Sequence, residues 1–330
     1  MSTIKFIRYL IRAIGISILA VIISRLDFYQ TLNVLKDINW AIVFVAITLN
    51  VPMLFIKTLR WHTLILAYDA KYGLKNAFLA YLSGTFIGLF TPGRLGEFIK
   101  IYYLHKSGTL TINKSISSVL VDRLFDLYLL IVFGSIGLCG ILFASLLIQS
   151  LILVLILIIF LIPIAVIINE SLFKSLHRLI EYIIFVDEWR KKAKSLIFDF
   201  RTALLNLRLN YLIICTILTL GAYSIIFSQA YILSRAIGIQ INWIGAAFTV
   251  SIGNLVALLP FSIAGIGTRE AAAISFLNTK GIDNEASLAF MASLFITFYI
   301  GGGAIGAIAW LIKPLPTTVF KSKLPSEEKC

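Results

Sequence analysis

Apolar residues in this chain run in long blocks rather than in alternation, and the blocks are punctuated by short basic segments. Six blocks, at 11–24, 41–59, 116–140, 148–168, 211–233 and 286–312, predict helices that cross a bilayer, since roughly 20 apolar residues at about 1.5 Å each span the hydrocarbon. Two further apolar stretches, 77–105 and 243–277, are broken near their middles. The first reads FIGLFTPGRLGEFIKIYYL, with Pro92, Gly93, Arg94, Gly96 and Glu97. The second reads LVALLPFSIAGIGTREAAAISFL, with Pro260, Gly265, Gly267, Arg269 and Glu270. Proline removes a backbone donor and, with glycine, interrupts a helix. Each half-stretch is too short to cross, so each stretch is expected to form a re-entrant helical hairpin.

The charges orient these elements. With the N-terminus inside, Lys57, Arg60, Lys71, Lys75, Lys106 and Lys114 fall on the cytoplasmic side, joined by the basic segment after Glu170 and by Lys313. The outer segments are balanced, Arg235 and Lys280 against Asp283 and Glu285. That asymmetry fits the positive-inside rule. The order span, span, hairpin, span then occurs twice in opposite directions, so the expected fold is an all-α polytopic membrane protein built as an inverted repeat, with two hairpin tips meeting near the midplane. The expected units are a first membrane half at 1–168, a basic cytoplasmic linker at 169–209, a second half at 210–313 and a cytoplasmic tail at 314–330.

Composition supports a membrane setting: 59% of residues are hydrophobic, 14% are charged and mean hydropathy is +0.96. The opening Lys5, Arg8 and Arg12 precede an apolar run without a small-residue cleavage site, which predicts a retained first span rather than a signal peptide. The net charge of +13 does not point to nucleic acid, because the basic residues lie in loops between apolar blocks. Cys139, Cys215 and Cys330 imply no disulfide framework. In the linker, basic residues alternate with Leu172, Phe173, Leu176, Leu179 and Ile180 at helical spacing, which predicts an amphipathic helix on anionic lipid of the inner leaflet or a solvated linker that obeys the orientation rule.

An ionised side chain deep in lipid costs about 2.5–3.5 kcal/mol on insertion scales, so intramembrane charges are candidates for function. Arg94 and Arg269 follow the two helix breaks, where exposed amides, the positive end of a helix dipole and a guanidinium fork together suit a phosphate. Glu97 and Glu270 are expected to hold a cationic headgroup or a proton, or to pair with the neighbouring arginine and fix each hairpin. A third cluster, Asp122, Arg123 and Asp126, opens the third span; the aspartates share a helical face and Arg123 reaches Asp126. It is read as lining a cavity beside the first hairpin, with an interfacial anchor as the alternative. Arg60 and Trp61 are read as an interface marker, and Gly301, Gly302, Gly303 and Gly306 as a helix-packing surface. The histidines lack ligand spacing and no nucleotide or hydrolase motif is present, so neither metal nor cofactor is expected.

TPGRLGEFIKIYYL, the VDRLFDLYLL that follows it, the KTLRWHTLIL that precedes it and LLPFSIAGIGTREAAA near the end together resemble the flippase-like membrane proteins related to the transmembrane region of lysylphosphatidylglycerol synthase. The resemblance covers nearly the whole chain. It implies re-entrant helices and a role in moving a lipid, either a phospholipid or a polyprenyl-phosphate-linked sugar. It maps the family's motif positions onto the hairpin-break and third-span residues named above. In bifunctional members a soluble aminoacyl-transfer domain follows; this sequence carries no counterpart, so the expectation is a protein that is not an enzyme.

Three functions compete at this level: a lipid transporter, a non-catalytic membrane partner of a glycosyltransferase or lipid synthase, and an integral membrane transferase using Glu97, Glu270 or Asp122 as base. The last lacks an accompanying nucleophile or cofactor motif. Expected partners are a membrane lipid substrate, anionic inner-leaflet lipid, a lipid-modifying enzyme and, through the glycine-rich faces, a second copy of the chain.

Overall fold

The structure, a computed structural model, describes residues 38–91, 94–142, 169–183, 187–205, 207–257 and 266–314. The expected spans at 11–24 and 148–168 lie outside the described residues, as do Pro92, Gly93, Pro260 and Gly265. Among the described residues every regular element is helical.

Helices α1 (Trp40–Thr48) and α2 (Asn50–Leu66) form one nearly continuous rod. Asn39 caps it, its side chain accepting from the Ala41 and Ile42 amides. The joint at Leu49 falls just before Pro52, whose missing N–H leaves a gap in the helical ladder. Helix α3 (Leu74–Leu89), the 3-10 turn Leu95–Phe98 and α4 (Ile99–Lys106) make the first hairpin, and α5 (Ile112–Leu142) follows. Then come α6 (Glu170–Ile183), α7 (Asp187–Leu205) and α8 (Leu209–Ala236). Helices α9 (Trp243–Ala257) and α10 (Thr268–Asn278) make the second hairpin. The chain ends in α11 (Asn284–Phe295), a π-helical turn (Ile296–Gly301) and α12 (Gly302–Ile312).

Trp40–Leu66, Leu209–Ala236 and Asn284–Ile312 are long and apolar enough to cross a membrane. Their outward faces carry Phe44, Val51, Phe55, Ile213, Ile217, Leu220, Ile308 and Leu311, all exposed. A protein in water would bury many of these; in hydrocarbon they are at home. Helix α5, with 31 residues, is about 46 Å long.

Close backbone contact holds both hairpins shut. A side chain at Gly88 would lie 2.7 Å from Glu97 Cγ, and one at Gly96 would lie 2.6 Å from the Ile87 carbonyl oxygen. In the second hairpin a side chain at Gly253 would meet Arg269 Cγ at 2.9 Å. The first arm of each hairpin also packs against a long helix outside that hairpin: α3 on α12 and α9 on α5. Glycines make both contacts. Gly303 and Gly306 seat Leu89, Leu82 and Phe86, while Gly134 and Gly137 seat Leu255 and Phe248. The Gly301–Gly306 run is therefore a packing surface within the chain, as its spacing predicted.

The interior contains polar links as well as apolar packing. Asn50 donates from Nδ2 to the Thr297 carbonyl at 2.8 Å, and Gln229 donates from Nε2 to the Ala46 carbonyl at 2.7 Å. Thr297 lies in the π-helical turn, and its carbonyl accepts from Asn50 as well as from the Gly302 amide along the turn. The first bond fastens α2 to the element that carries Tyr299, and the second fastens α8 to α1.

Helix α7 and the residue Leu207 after it dock on the bundle. Asn113 of α5 donates to Asp199 Oδ2 at 2.6 Å and to Ser195 Oγ at 3.1 Å, and Leu204 and Leu207 pack beside Leu64, Val121 and Cys215. Two helices, α6 and α7, stand where a single amphipathic element was expected; the chain between them, 184–186, lies outside the described residues.

Candidate functional site: a charged cavity between the hairpins

A cavity of about 560 Å³ lies between the two hairpins and helices α2, α5, α8 and α11. Its charged walls are Lys57, Arg94, Glu97, Arg123, Asp126 and Arg269; Leu54, Leu124, Leu130 and Leu294 are among its apolar ones. The size suits a small ligand or a headgroup. Tyr299 lines it from the π-helical turn and Phe200 from α7.

Asp122 and Asp126 sit one turn apart on α5 and reach into the bundle. Arg60 lies between them, entirely buried, with contacts of 2.8 Å to Asp122 Oδ1 and 2.8 Å to Asp126 Oδ1, and it also donates to Thr219 Oγ1 at 3.0 Å. Lys100 of the first hairpin bonds the other oxygen of Asp122 at 2.9 Å and lies over the Tyr81 ring. Lys57 bonds Asp126 at 3.2 Å and lies over the Tyr223 ring. Taking charges out of water is costly unless each is paired with good geometry. Here three elements supply the pairing.

Arg123 faces the cavity with about a quarter of its side chain exposed, and it joins Glu97 at 2.8 Å, Asp122 at 3.2 Å and Asp126 at 3.4 Å. The expected Arg123–Asp126 contact is thus present, but Glu97 is the nearer partner. Glu97 does not pair with Arg94. The 3-10 turn aims Glu97 at α5, whereas Arg94 sits before that turn with φ of 56°, in the left-handed region. A non-glycine residue there costs about 1–2 kcal/mol and marks a constrained position.

Arg94 instead donates to the Tyr299 hydroxyl at 3.2 Å and lies 5.4 Å from the centre of its ring. From the other hairpin, Arg269 lies 4.6 Å from the same ring centre. Arg269 pairs with its neighbour Glu270, Nε to Oε1 at 3.0 Å, so in this hairpin the internal ion pair is present. Glu270 also accepts from the Gly267 amide at 2.7 Å, and Gly96 donates its amide to Thr91 Oγ1 at 2.7 Å. The Gly267 and Gly96 amides are therefore satisfied within the protein. The cations at the cavity wall are the guanidinium forks of Arg94, Arg123 and Arg269 and the Lys57 ammonium.

The reading of Arg60 and Trp61 as an interface marker is corrected. Both are fully buried, because Arg60 neutralises the two aspartates and Trp61 packs among Tyr72 and Tyr81. Lys57, Arg60 and Lys100 were missed as site residues. The available signal was spacing: Lys57 and Arg60 are one turn apart in an apolar helix, and Lys100 is one turn after Glu97. Among the described residues no cluster has metal-ligand character.

The profile described as "Lysylphosphatidylglycerol synthase TM region" matches residues 10–306, which takes in both hairpins and every charged residue of the cavity. The chain belongs to that family. The chain is also similar to proteins from the archaeon Methanocaldococcus jannaschii. The UPF0104 membrane protein MJ1078 is 23% identical over 227 residues, 69% of this chain and 94% of the relative. The UPF0104 membrane protein MJ1595 is 30% identical over 138 residues, 39% of this chain and 40% of the relative. These relatives are named as membrane proteins, and the apolar outer faces of the helices agree with a multi-pass membrane protein.

Proposed function

We propose that this member of the lysylphosphatidylglycerol synthase transmembrane-region family is a flippase-like transporter that moves a phosphate-containing lipid across the bilayer. The observation that carries this reading is the convergence of Arg94 and Arg269, one from each hairpin, on Tyr299 at the wall of the cavity. An arginine fork matches phosphate geometry in two-point fashion. The headgroup enters the cavity while acyl or prenyl chains stay in lipid.

The reciprocal packing of α3 on α12 and of α9 on α5 supports an inverted repeat, with both hairpins re-entrant because each arm, at 16 residues or fewer, is about 24 Å or less. Two such halves rocking about a shared midplane site give alternating access. The protein is proposed to lie in the cell membrane with both termini cytoplasmic, following the basic loops. Transport rather than catalysis is supported by the state of the carboxylates: Glu97, Asp122, Asp126 and Glu270 are each bonded to a cation, which suits structure and ligand balance more than proton transfer.

The test is a headgroup-protection assay with purified protein in liposomes, across phospholipids and polyprenyl-phosphate sugars. Movement of at least one phosphate-bearing lipid above empty-liposome rates is expected. Movement of none would remove the transporter reading and favour a membrane partner of a lipid enzyme.

A further inference from the structure

We propose that the cavity selects a phosphomonoester dianion, the terminal phosphate of a lipid monophosphate, over phosphodiester and zwitterionic headgroups. This rests on reading the cavity as a lipid-headgroup site.

Charge balance carries the inference. Among the described residues the connected site contains six cationic side chains, Lys57, Arg60, Arg94, Lys100, Arg123 and Arg269, and four carboxylates, Glu97, Asp122, Asp126 and Glu270. Two positive charges are left over. Residues 92–93 and 258–265 contain no ionisable side chain. Four of the six cations are arginines, which do not shed a proton in proteins, and both lysines are already bonded to aspartate.

The excess has an address. Arg60 shares both aspartates with Lys57, Lys100 and Arg123, so those two carboxylates are over-subscribed from within. Among the described residues no carboxylate lies within ion-pair distance of Arg94, whose guanidinium meets Tyr299 at the cavity. Uncompensated charge in a low-dielectric interior is unfavourable, so the ligand is the natural source of balance. A phosphodiester brings one negative charge and leaves an excess of one. A zwitterion brings none, and its cationic end adds a seventh positive group. A phosphomonoester brings two charges and three free oxygens, enough for the forks of Arg94 and Arg269 together.

Water-soluble probes test this on the full-length protein in nanodiscs by isothermal titration calorimetry, with hexyl phosphate, hexyl methyl phosphate and hexylphosphocholine. The monoester is expected to bind at least about tenfold more tightly than either of the others near pH 7.5. Its second proton leaves near pH 6, so its affinity alone should fall about tenfold when the pH is lowered to about 5. Arg94→Gln, checked for unchanged unfolding temperature, should narrow the monoester–diester gap. Equal, pH-independent binding of monoester and diester would overturn the dianion proposal and leave the phosphate-site reading standing. Preference for the phosphocholine, or binding of none of the three, would overturn both.

Discussion

Glu97 in the turn of the first hairpin bonds Arg123 of α5 at 2.8 Å, and this ion pair crosses from one element to another rather than closing the hairpin on itself. Its consequence is a specific coupling pattern. A double-mutant cycle between Glu97→Gln and Arg123→Gln, read from thermal unfolding in detergent, should show an interaction energy of about 0.5–3 kcal/mol. The cycle between Arg94→Gln and Glu97→Gln should be much closer to additive. Strong coupling to Arg94 and none to Arg123 would place the pair wrongly.

Arg60 gives a second prediction, because it stands between two buried aspartates. Arg60→Met should cost about 3–5 kcal/mol, the effect of leaving buried charge without its partner. A surface anchor would change stability by no more than about 0.5 kcal/mol. Adding Asp122→Asn to Arg60→Met should recover part of the loss. Fluorescence-detected size-exclusion melting curves on the two variants decide the matter.

The glycine contacts make a graded series. At Gly306 an added methyl would lie 2.8 Å from the Leu82 carbonyl oxygen, which cannot swing aside, so Gly306→Ala should destabilise by about 1–3 kcal/mol. At Gly303 the obstacle is the movable end of Leu89, and Gly303→Ala should cost less. Nothing lies within 4 Å at Gly221, in the interior of α8, so Gly221→Ala should be neutral or stabilising by up to about 1 kcal/mol. Equal melting shifts for all three would contradict the packing of α3 on α12.

Orientation yields a further test. A reporter inserted in the 170–205 segment should read as cytoplasmic, and one between Asn278 and Asn284 as external, from the lysine and arginine asymmetry. An external signal from the first site would remove the proposed topology and with it the inverted repeat.

Much of this was legible before any coordinates. The apolar blocks at 41–59, 211–233 and 286–312 coincide with the three helices that, among the described residues, are long and apolar enough to cross a membrane, and the proline and glycine breaks fall between the paired arms α3–α4 and α9–α10. Backbone interruption is a local property, so sequence reports it well. Partner choice in the charged network was not legible, because it depends on contacts between residues 22 to 69 positions apart. Sequence adjacency suggested Arg94 with Glu97, but the left-handed turn at Arg94 sends the two side chains to different neighbours. Lys57 and Arg60 were counted only as cytoplasmic-side cations, and Lys100 was passed over, until the aspartates of α5 were seen beside them. Balancing Asp122 and Asp126 inside an apolar helix would have required cations from elsewhere in the chain, and that demand was the overlooked signal.

The central claim is that Arg94 and Arg269 grip one headgroup phosphate, and the most direct measurement is the lipid-movement rate of Arg94→Lys, Arg269→Lys and the double variant in liposomes at equal folded yield. Lysine keeps the charge and loses the planar fork. Each single variant should slow transport roughly tenfold to a hundredfold, in line with about 1.5–3 kcal/mol for a charge-assisted bond, and the double should fall short of the product of the two losses. Wild-type rates in both lysine variants, or losses that multiply in full, would contradict a shared phosphate.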